Sequence, residues 1–211
     1  MNMKFISIVG TNSSYESTNR KLLQFIQKHF TEGVTIEVCE IKDLPAFNEP
    51  EDRTPPQAVK ALSDKIVAAD GVIISTPEYD HAITAALKSA LEWLSYTTRP
   101  LIDKPVMIVG ASHGALGSSR AQAHLRQILD SPELKARIMP SSEFLLGRSL
   151  SAFDEEGNLI DPDKVQELEE CFEEFQLFVE ITNQLTKDHR FKADKKQQFT
   201  WEQRADGGDI A

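Results

Sequence analysis

Residues 72–95, VIISTPEYDHAITAALKSALEWLS, predict the architecture of this chain. The segment begins with Val72, Ile73 and Ile74, an apolar run typical of a buried parallel strand. It ends in a helical pattern that places five apolar residues on one face: Ile83, Leu87, Ala90, Leu91 and Leu94. The polar residues 75–81 lie between these two parts. They should therefore follow the carboxyl end of a strand, which is where open α/β sheets bind ligands.

The rest of the chain repeats this alternation of strand and helix. Ser17 or Thr18 would cap the first helix, and Thr54 followed by Pro55 has the pattern of a second helix start. Alternation of this kind predicts parallel strands, right-handed crossovers and helices on both faces of one sheet. The other candidate strands cover residues 4–9, 34–39, 104–110 and 137–139, with 143–146 as an additional candidate.

Composition and charge exclude several classes of protein. The 211 residues, 40 % of them hydrophobic, suffice for one sizeable α/β domain. A formal net charge of −10 argues against nucleic acid and against an anionic membrane surface as partners. No apolar run approaches the roughly 18 residues that span a membrane, and the sequence has no signal-peptide pattern. We expect a cytoplasmic protein in which Cys39 and Cys171 are buried, reduced thiols.

Two more loops follow predicted strands directly. Residues 10–18 are rich in hydroxyl and amide side chains and open a helix, so their backbone amides and the helix dipole could bind a phosphate. Ordinary capping of the helix is the alternative. In residues 110–119, Gly114 and Gly117 would let a flat ligand approach the backbone, although a flexible turn explains them equally well. Neither loop has a dinucleotide or P-loop fingerprint.

Other chemistries have little support in the sequence. The five histidines show no metal-ligand spacing, so we predict no metal site, and no G-x-S-x-G motif indicates a serine hydrolase.

Three segments together resemble the NAD(P)H-dependent FMN reductase family, whose relatives include azo, quinone and chromate reductases. The segments are GTNSSYESTNRKL at residues 10–22, TPEYDHAITAALKSALEWLS at 76–95 and GASHGALGSSRAQAHLRQIL at 110–129. The resemblance covers roughly residues 5–185. It implies a flavodoxin-like three-layer sandwich with a five-stranded parallel sheet of order 2-1-3-4-5. Residues 1–186 would form the FMN-binding reductase domain, and residues 187–211 a polar tail.

In this sheet order the three loops converge where FMN binds in flavodoxin-like folds. The resemblance assigns the residues of the first loop and helix start to the FMN phosphate, and those of the other two loops to the two sides of the flavin ring. The implied phosphate ligands are Thr11, Ser13, Ser17, Thr18 and Asn19. The implied ring contacts are Pro77, Glu78, Tyr79 and Asp80 on one side, and Ser112, His113, Gly114 and Gly117 on the other.

The sequence departs from the family pattern in two of these loops. An arginine common in the first loop is replaced by Ser13 or Ser14, which leaves Arg20 as a candidate substitute. The usual Pro-Glu-Tyr-Asn ends in Asp80, and an ionised aspartate only accepts hydrogen bonds.

The resemblance implies an FMN-dependent oxidoreductase that uses NADPH or NADH and a flavin, quinone, azo or similar small-molecule acceptor in a ping-pong mechanism. Backbone amides of residues 77–82 would stabilise the reduced flavin, so no side chain is expected to be a catalytic acid or base. The alternative is a non-enzymatic electron carrier or ligand sensor of the same fold. Family members are homodimers or homotetramers, and the same is expected here.

Overall fold

A computed structural model describes residues 2–140 and 143–187. Its centre is a parallel sheet in which the strands have the order β2-β1-β3-β4-β5, with β6 also paired to β4. The order predicted from the sequence is confirmed, and one more strand is present than the family pattern implies. The strands are β1 Met3–Val9, β2 Val34–Glu40, β3 Gly71–Ser75, β4 Pro105–Ala111, β5 Arg137–Ile138 and β6 Phe144–Leu146.

Two short strands share the edge position beside β4. β5 pairs with the amino-terminal part of β4, where Val106 lies opposite Ile138. β6 pairs with the carboxyl-terminal part, where Val109 lies opposite Phe144. Pro140 lies between the two strands and has no amide hydrogen to continue the ladder. Because β6 ends beside the end of β4, the residues that follow it reach the same edge of the sheet as the three loops.

Helices cover both faces of the sheet. One apolar cluster packs α2, α3 and α4 against side chains such as Ile6 and Ile74. The other packs α1 and α5 against the opposite face, where Phe5 and Ile73 lie. The strand residues alternate between the clusters, as the two-residue period of a strand requires. The helices are α1 Thr18–His29, α2 Gln57–Ala68, α3 Ala85–Trp93, α4 Ser119–Leu129 and α5 Pro162–Lys187.

Two helix boundaries differ from the sequence prediction. Helix α2 begins at Gln57 and not at Pro55, because Pro56 disfavours a helical conformation for the residue before it. Helix α3 continues as a π-helical turn, Leu94–Thr98, which ends at Arg99 in the left-handed conformation. Ile83, expected on the inner face of this helix, precedes it but is buried in the same cluster.

Two further expectations can be compared with the structure, and a third lies beyond it. Cys39 and Cys171 are buried and unpaired, and burial raises the pKa of Cys171 to about 12. Among the described residues no helix is both long and apolar enough to cross a membrane. The predicted tail lies outside the described residues from position 188 onward.

Candidate functional site

Loops that follow β1, β3 and β4 meet at the carboxyl edge of the sheet. They form a cleft that contains most of the residues assigned from the sequence. Thr11, Asp80, Gly114 and Gly117 belong to the same loops but do not line this cleft. Its lining residues are Ser13, Glu16, Ser17, Thr18, Asn19, Pro77, Glu78, Tyr79, Ala111, Ser112 and His113.

The first loop presents the amino-terminal end of helix α1 to the cleft. Ser17 caps the helix by accepting a hydrogen bond from the amide of Arg20, at 3.4 Å. Thr11 is buried, and its hydroxyl accepts from the amide of Ser13 at 3.2 Å, so its side chain shapes the loop. The first turn of α1 has no acidic residue. The hydroxyls of Ser13, Ser17 and Thr18 and the amides of Ser17 and Thr18 therefore offer donors at a positive helix end, which suits a phosphate group.

Asn19 is held inside the protein and not at the surface of the cleft. Its side-chain amide donates to the carbonyl of Ala111 at 2.8 Å, and its oxygen accepts from the amide of Ala111 at 2.9 Å. The same oxygen accepts from the hydroxyl of Ser75 at 2.8 Å. Asn19 thus ties the start of α1 to the ends of β3 and β4. Its side chain positions the elements that form the cleft, and Asn19 is itself one of the lining residues.

Arg20, the candidate substitute for the missing loop arginine, has other partners. Its guanidinium donates to both carboxylate oxygens of Glu40, at 2.5 and 3.0 Å. It also donates to the carbonyls of Ser13 and Tyr15. Arg20 consequently stabilises the loop from behind, and its charge is neutralised by Glu40.

The second loop contains a two-residue hairpin turn. Tyr79 and Ala82 exchange both backbone hydrogen bonds, and Asp80 and His81 between them have φ values of 51° and 63°. Turns with two positive φ values favour Asn, Asp and Gly, which accounts for the acidic residue at this position. Thr84 then caps α3 and donates to the carbonyl of Gly10 at 2.8 Å.

Glu78 connects the second loop to helix α4. Its carboxylate accepts from Arg120 Nε at 2.7 Å, from the backbone amide of Arg120 at 3.1 Å and from that of Ala121 at 3.4 Å. The side chain is only 9 % exposed. Burial by itself would raise the pKa of Glu78, but the Arg120 guanidinium and the two amides outweigh it and hold the pKa below 4.5. Glu78 therefore acts as an ionised cap for α4, whose own N-cap residue, Ser118, makes no capping hydrogen bond with its side chain.

Close backbone contacts fix the third loop. A side chain at Gly110 would collide with Ser118, and one at Gly117, where φ is +58°, would collide with Leu145. Gly114, by contrast, has open space around it. His113 is exposed, and Ser112 donates to the carbonyl of Gly114 at 3.2 Å.

A fourth loop, not assigned from the sequence, also reaches the site. Ser149 is fully buried, its amide donates to the carbonyl of Ser112 at 3.0 Å, and its hydroxyl donates to that of Thr18 at 2.8 Å. The only sequence signal for this contact is Gly147-Arg148-Ser149 directly after a short apolar run, the same arrangement as after β1 and β4.

Known proteins resemble this chain in sequence and in fold. The model of the family described as NADPH-dependent FMN reductase matches residues 3–151. Over 203 residues the chain is 64 % identical to the NADH:(hydroxy)cinnamate reductase subunit CrdA of Vibrio ruber, covering 96 % of this chain and 99 % of that protein. It is 43 % identical to the NADH-dependent flavin reductase subunit 2 of Lactobacillus johnsonii, and the match covers 84 % of this chain and 98 % of that protein.

A solved structure shows the same fold. The flavoenzyme NAD(P)H:(acceptor) oxidoreductase FerB from Paracoccus denitrificans superposes with a TM-score of 0.69 at 25 % sequence identity. The superposition covers 89 % of this chain and 98 % of FerB.

Proposed function

Because this chain belongs to the NADPH-dependent FMN reductase family, with FMN as cofactor and NAD(P)H as co-substrate, we propose that it couples NAD(P)H oxidation to reduction of a small-molecule acceptor by a ping-pong mechanism. FMN supplies the hydride chemistry when bound. The acceptor would be a flavin, quinone, azo compound or similar molecule. The proposal includes a reductase domain at residues 1–186 and a tail at residues 187–211. A cytoplasmic location stays a prediction.

One observation supports the proposal most directly. The hydroxyl-bearing start of α1, whose first turn has no acidic residue, lines the same cleft as residues 77–79 and residues 112–113. The first feature suits the FMN phosphate, and the other two form opposite walls for a flat ring. Since both substrates would use this one cleft, they would have to bind in turn.

The chain's own residues would hold and orient the cofactor. Ser13, Ser17 and Thr18 would bind the phosphate, together with backbone amides of the first turn of α1. Pro77, Glu78 and Tyr79 would line one side of the ring, and Ser112 and His113 the other. Asn19, Arg20 and Arg120 would keep these groups in place through the hydrogen bonds described above.

Assembly is part of the proposal. We infer a homodimer or homotetramer, and both relatives named above are subunits by name. Four large apolar or aromatic side chains on the four loops are more than half exposed: Tyr15, Tyr79, Leu116 and Leu150. Exposed apolar patches of this kind mark contact surfaces. Light scattering on the purified protein would give the mass of the assembly.

The decisive experiment is spectroscopic and kinetic. Purified protein should be yellow, or become yellow with FMN, and should oxidise NADH or NADPH with a quinone or free flavin as acceptor. Initial rates at several fixed acceptor concentrations should give parallel double-reciprocal lines. A protein that quenches FMN fluorescence but does not oxidise either nucleotide would be the electron carrier or sensor. A protein that does not bind FMN would refute the proposal altogether.

A further inference from the structure

Arg148 belongs to the fourth loop, which contacts two residues of the cleft lining, Ser112 and Thr18, and its backbone is well anchored. Its amide donates to the carbonyl of Gly114 at 2.8 Å, and the next residue, Ser149, contacts both Ser112 and Thr18. Gly147 packs so closely on Ala115 that an added side chain would lie 2.5 Å from its carbonyl oxygen. The position of Arg148 relative to the first and third loops is therefore fixed by the backbone.

The Arg148 side chain is exposed and makes no hydrogen bond or ion pair with any residue in the parts of the chain that the structure describes. Other cations near the cleft are already neutralised by carboxylates. Arg20 is paired with Glu40, Lys21 with Glu16 at 2.9 Å, and Arg120 with Glu78. Arg148 is thus an available positive charge beside the third loop.

The rest of the molecule makes this charge important for binding. The whole chain carries a net charge of −10, so an anionic molecule that approaches it is repelled at long range. Asp80, in the second loop, adds a further exposed negative charge. A planar guanidinium on the loop beside Gly114 offers two parallel donors to a phosphate or a carboxylate.

We propose that Arg148 is a specificity residue that binds the anionic group of a substrate entering the cleft. The group is an oxyanion: the pyrophosphate of the nicotinamide dinucleotide, or the carboxylate or sulfonate of an acceptor. This inference rests on the proposed function, because it requires that such substrates dock beside the third loop. The side chain does not take part in hydride transfer, so it should affect binding and leave turnover unchanged.

The experiment compares Arg148→Ala and Arg148→Lys with the wild-type protein, all loaded with FMN. Lys135→Ala is the matched control, since Lys135 is also exposed, has a positive φ of 42° and precedes β5, which pairs with the amino-terminal part of β4 away from the cleft. KM and kcat for NADH are measured with menadione, a neutral quinone, as the fixed acceptor. The same constants are then measured for menadione and for anthraquinone-2-sulfonate with NADH as the fixed donor. Binding of ADP-ribose, which carries the pyrophosphate, is measured by calorimetry and does not depend on turnover.

Arg148→Ala should raise one KM by about threefold to tenfold, with kcat and the KM for menadione unchanged. A higher KM for NADH, together with weaker ADP-ribose binding, identifies the dinucleotide as the substrate that Arg148 binds. A higher KM for anthraquinone-2-sulfonate identifies the acceptor instead. Arg148→Lys should recover part of the affinity. The difference in KM between the wild-type protein and Arg148→Ala should shrink near 1 M salt, where the Debye length is about 3 Å.

Several results would overturn the inference. These are unchanged constants for every substrate, an equal effect of Lys135→Ala, or weaker binding of FMN as the sole change. Failure of the proposed function has a different signature, since the wild-type protein itself would then not oxidise NADH, while ADP-ribose binding would still test Arg148.

Discussion

At the scale of single residues, the polar groups behind the cleft bind other parts of the protein. Asn19 uses both atoms of its amide on β3 and β4, and Glu78 uses its carboxylate on the start of α4. Buried polar groups are costly unless their hydrogen bonds are made. These side chains therefore hold the loops in position, whereas their neighbours are left to contact a ligand.

Asn19→Ala should lower the free energy of unfolding by about 2–4 kcal/mol, because it leaves the amide and carbonyl of Ala111 and the hydroxyl of Ser75 without their partner. Urea denaturation measures this change. Asn2→Ala, at an exposed position, should alter stability by less than about 0.5 kcal/mol. A cost for Asn19→Ala as small as that of the control would mean that Asn19 does not connect α1 to the sheet.

Glu78→Gln should destabilise the protein by about 1 kcal/mol at pH 7. The fold holds the pKa of Glu78 below 4.5, so its ionised form contributes fully above pH 4.5. The contribution is lost as the pH falls through the lowered folded-state pKa, and the difference between wild type and variant should disappear there. Thermal unfolding across pH 3–7 tests this. Glu92→Gln, in an exposed pair with Lys88, should show little effect at any pH.

Asp80→Asn should make bound FMN easier to reduce, because it removes a negative charge from the loop that would line the ring, and such a charge disfavours a reduced, anionic flavin. One charge at about 4 Å in water is worth about 1 kcal/mol, or about 20 mV for a two-electron couple. Both residues tolerate the positive φ of Asp80, so the turn should remain intact. Dye-coupled titration measures the potential, with Asp130→Asn at the far end of α4 as control. A lower or unchanged potential would place Asp80 away from the ring.

At the scale of elements, the strands end where the backbones of neighbouring loops are closest. Gly10 and Gly110 follow the apolar parts of β1 and β4, and a side chain at either would collide with the backbone of residues 75–76. The close approach of these chain segments leaves room for the cleft between the loops. It also explains why both loops begin with a glycine.

Gly110→Ala should cost more than about 2 kcal/mol and weaken FMN binding, since a methyl group there would lie 1.9 Å from the Ser118 hydroxyl and 2.7 Å from the carbonyl oxygen of Thr76. Gly114→Ala is the control in the same loop. It has no atom within 4 Å and should change stability by less than about 0.5 kcal/mol. Chemical denaturation and fluorescence quenching of FMN measure the two effects. Equal costs for both variants would contradict the packing described for β4.

At the scale of the whole molecule, a ligand that binds only the folded chain must stabilise it. FMN at about 100 times its dissociation constant should add about 2.7 kcal/mol, which corresponds to a rise in Tm of about 5–10 °C. Riboflavin at the same concentration should give a smaller shift, because it has no phosphate for the start of α1. Differential scanning fluorimetry or calorimetry compares the two. Equal shifts would show that the first loop does not bind the phosphate.

The sequence by itself determined the architecture of this protein. The short apolar run Val72–Ile74 is typical of a buried strand, and the helical spacing from Leu87 to Leu91 predicts a helix. The strand order came from the resemblance carried by the three loops, and the structure confirms it. The loops that meet at the site were also predicted, because parallel strands bring their carboxyl ends to one edge.

Only the tertiary structure decided what the individual polar side chains do. Asn19, Arg20 and Glu78 have side chains that could bind a ligand or another part of the protein, and their partners lie 20 to 92 residues away in sequence. The hydrogen bond between Ser149 and Thr18 joins residues 131 positions apart in sequence. It depends on the pairing of β6 with β4 beyond the end of β5, because this pairing brings residue 149 to the site. Hydrogen bonds over such separations leave no periodic pattern in the sequence, because they depend on how the elements pack.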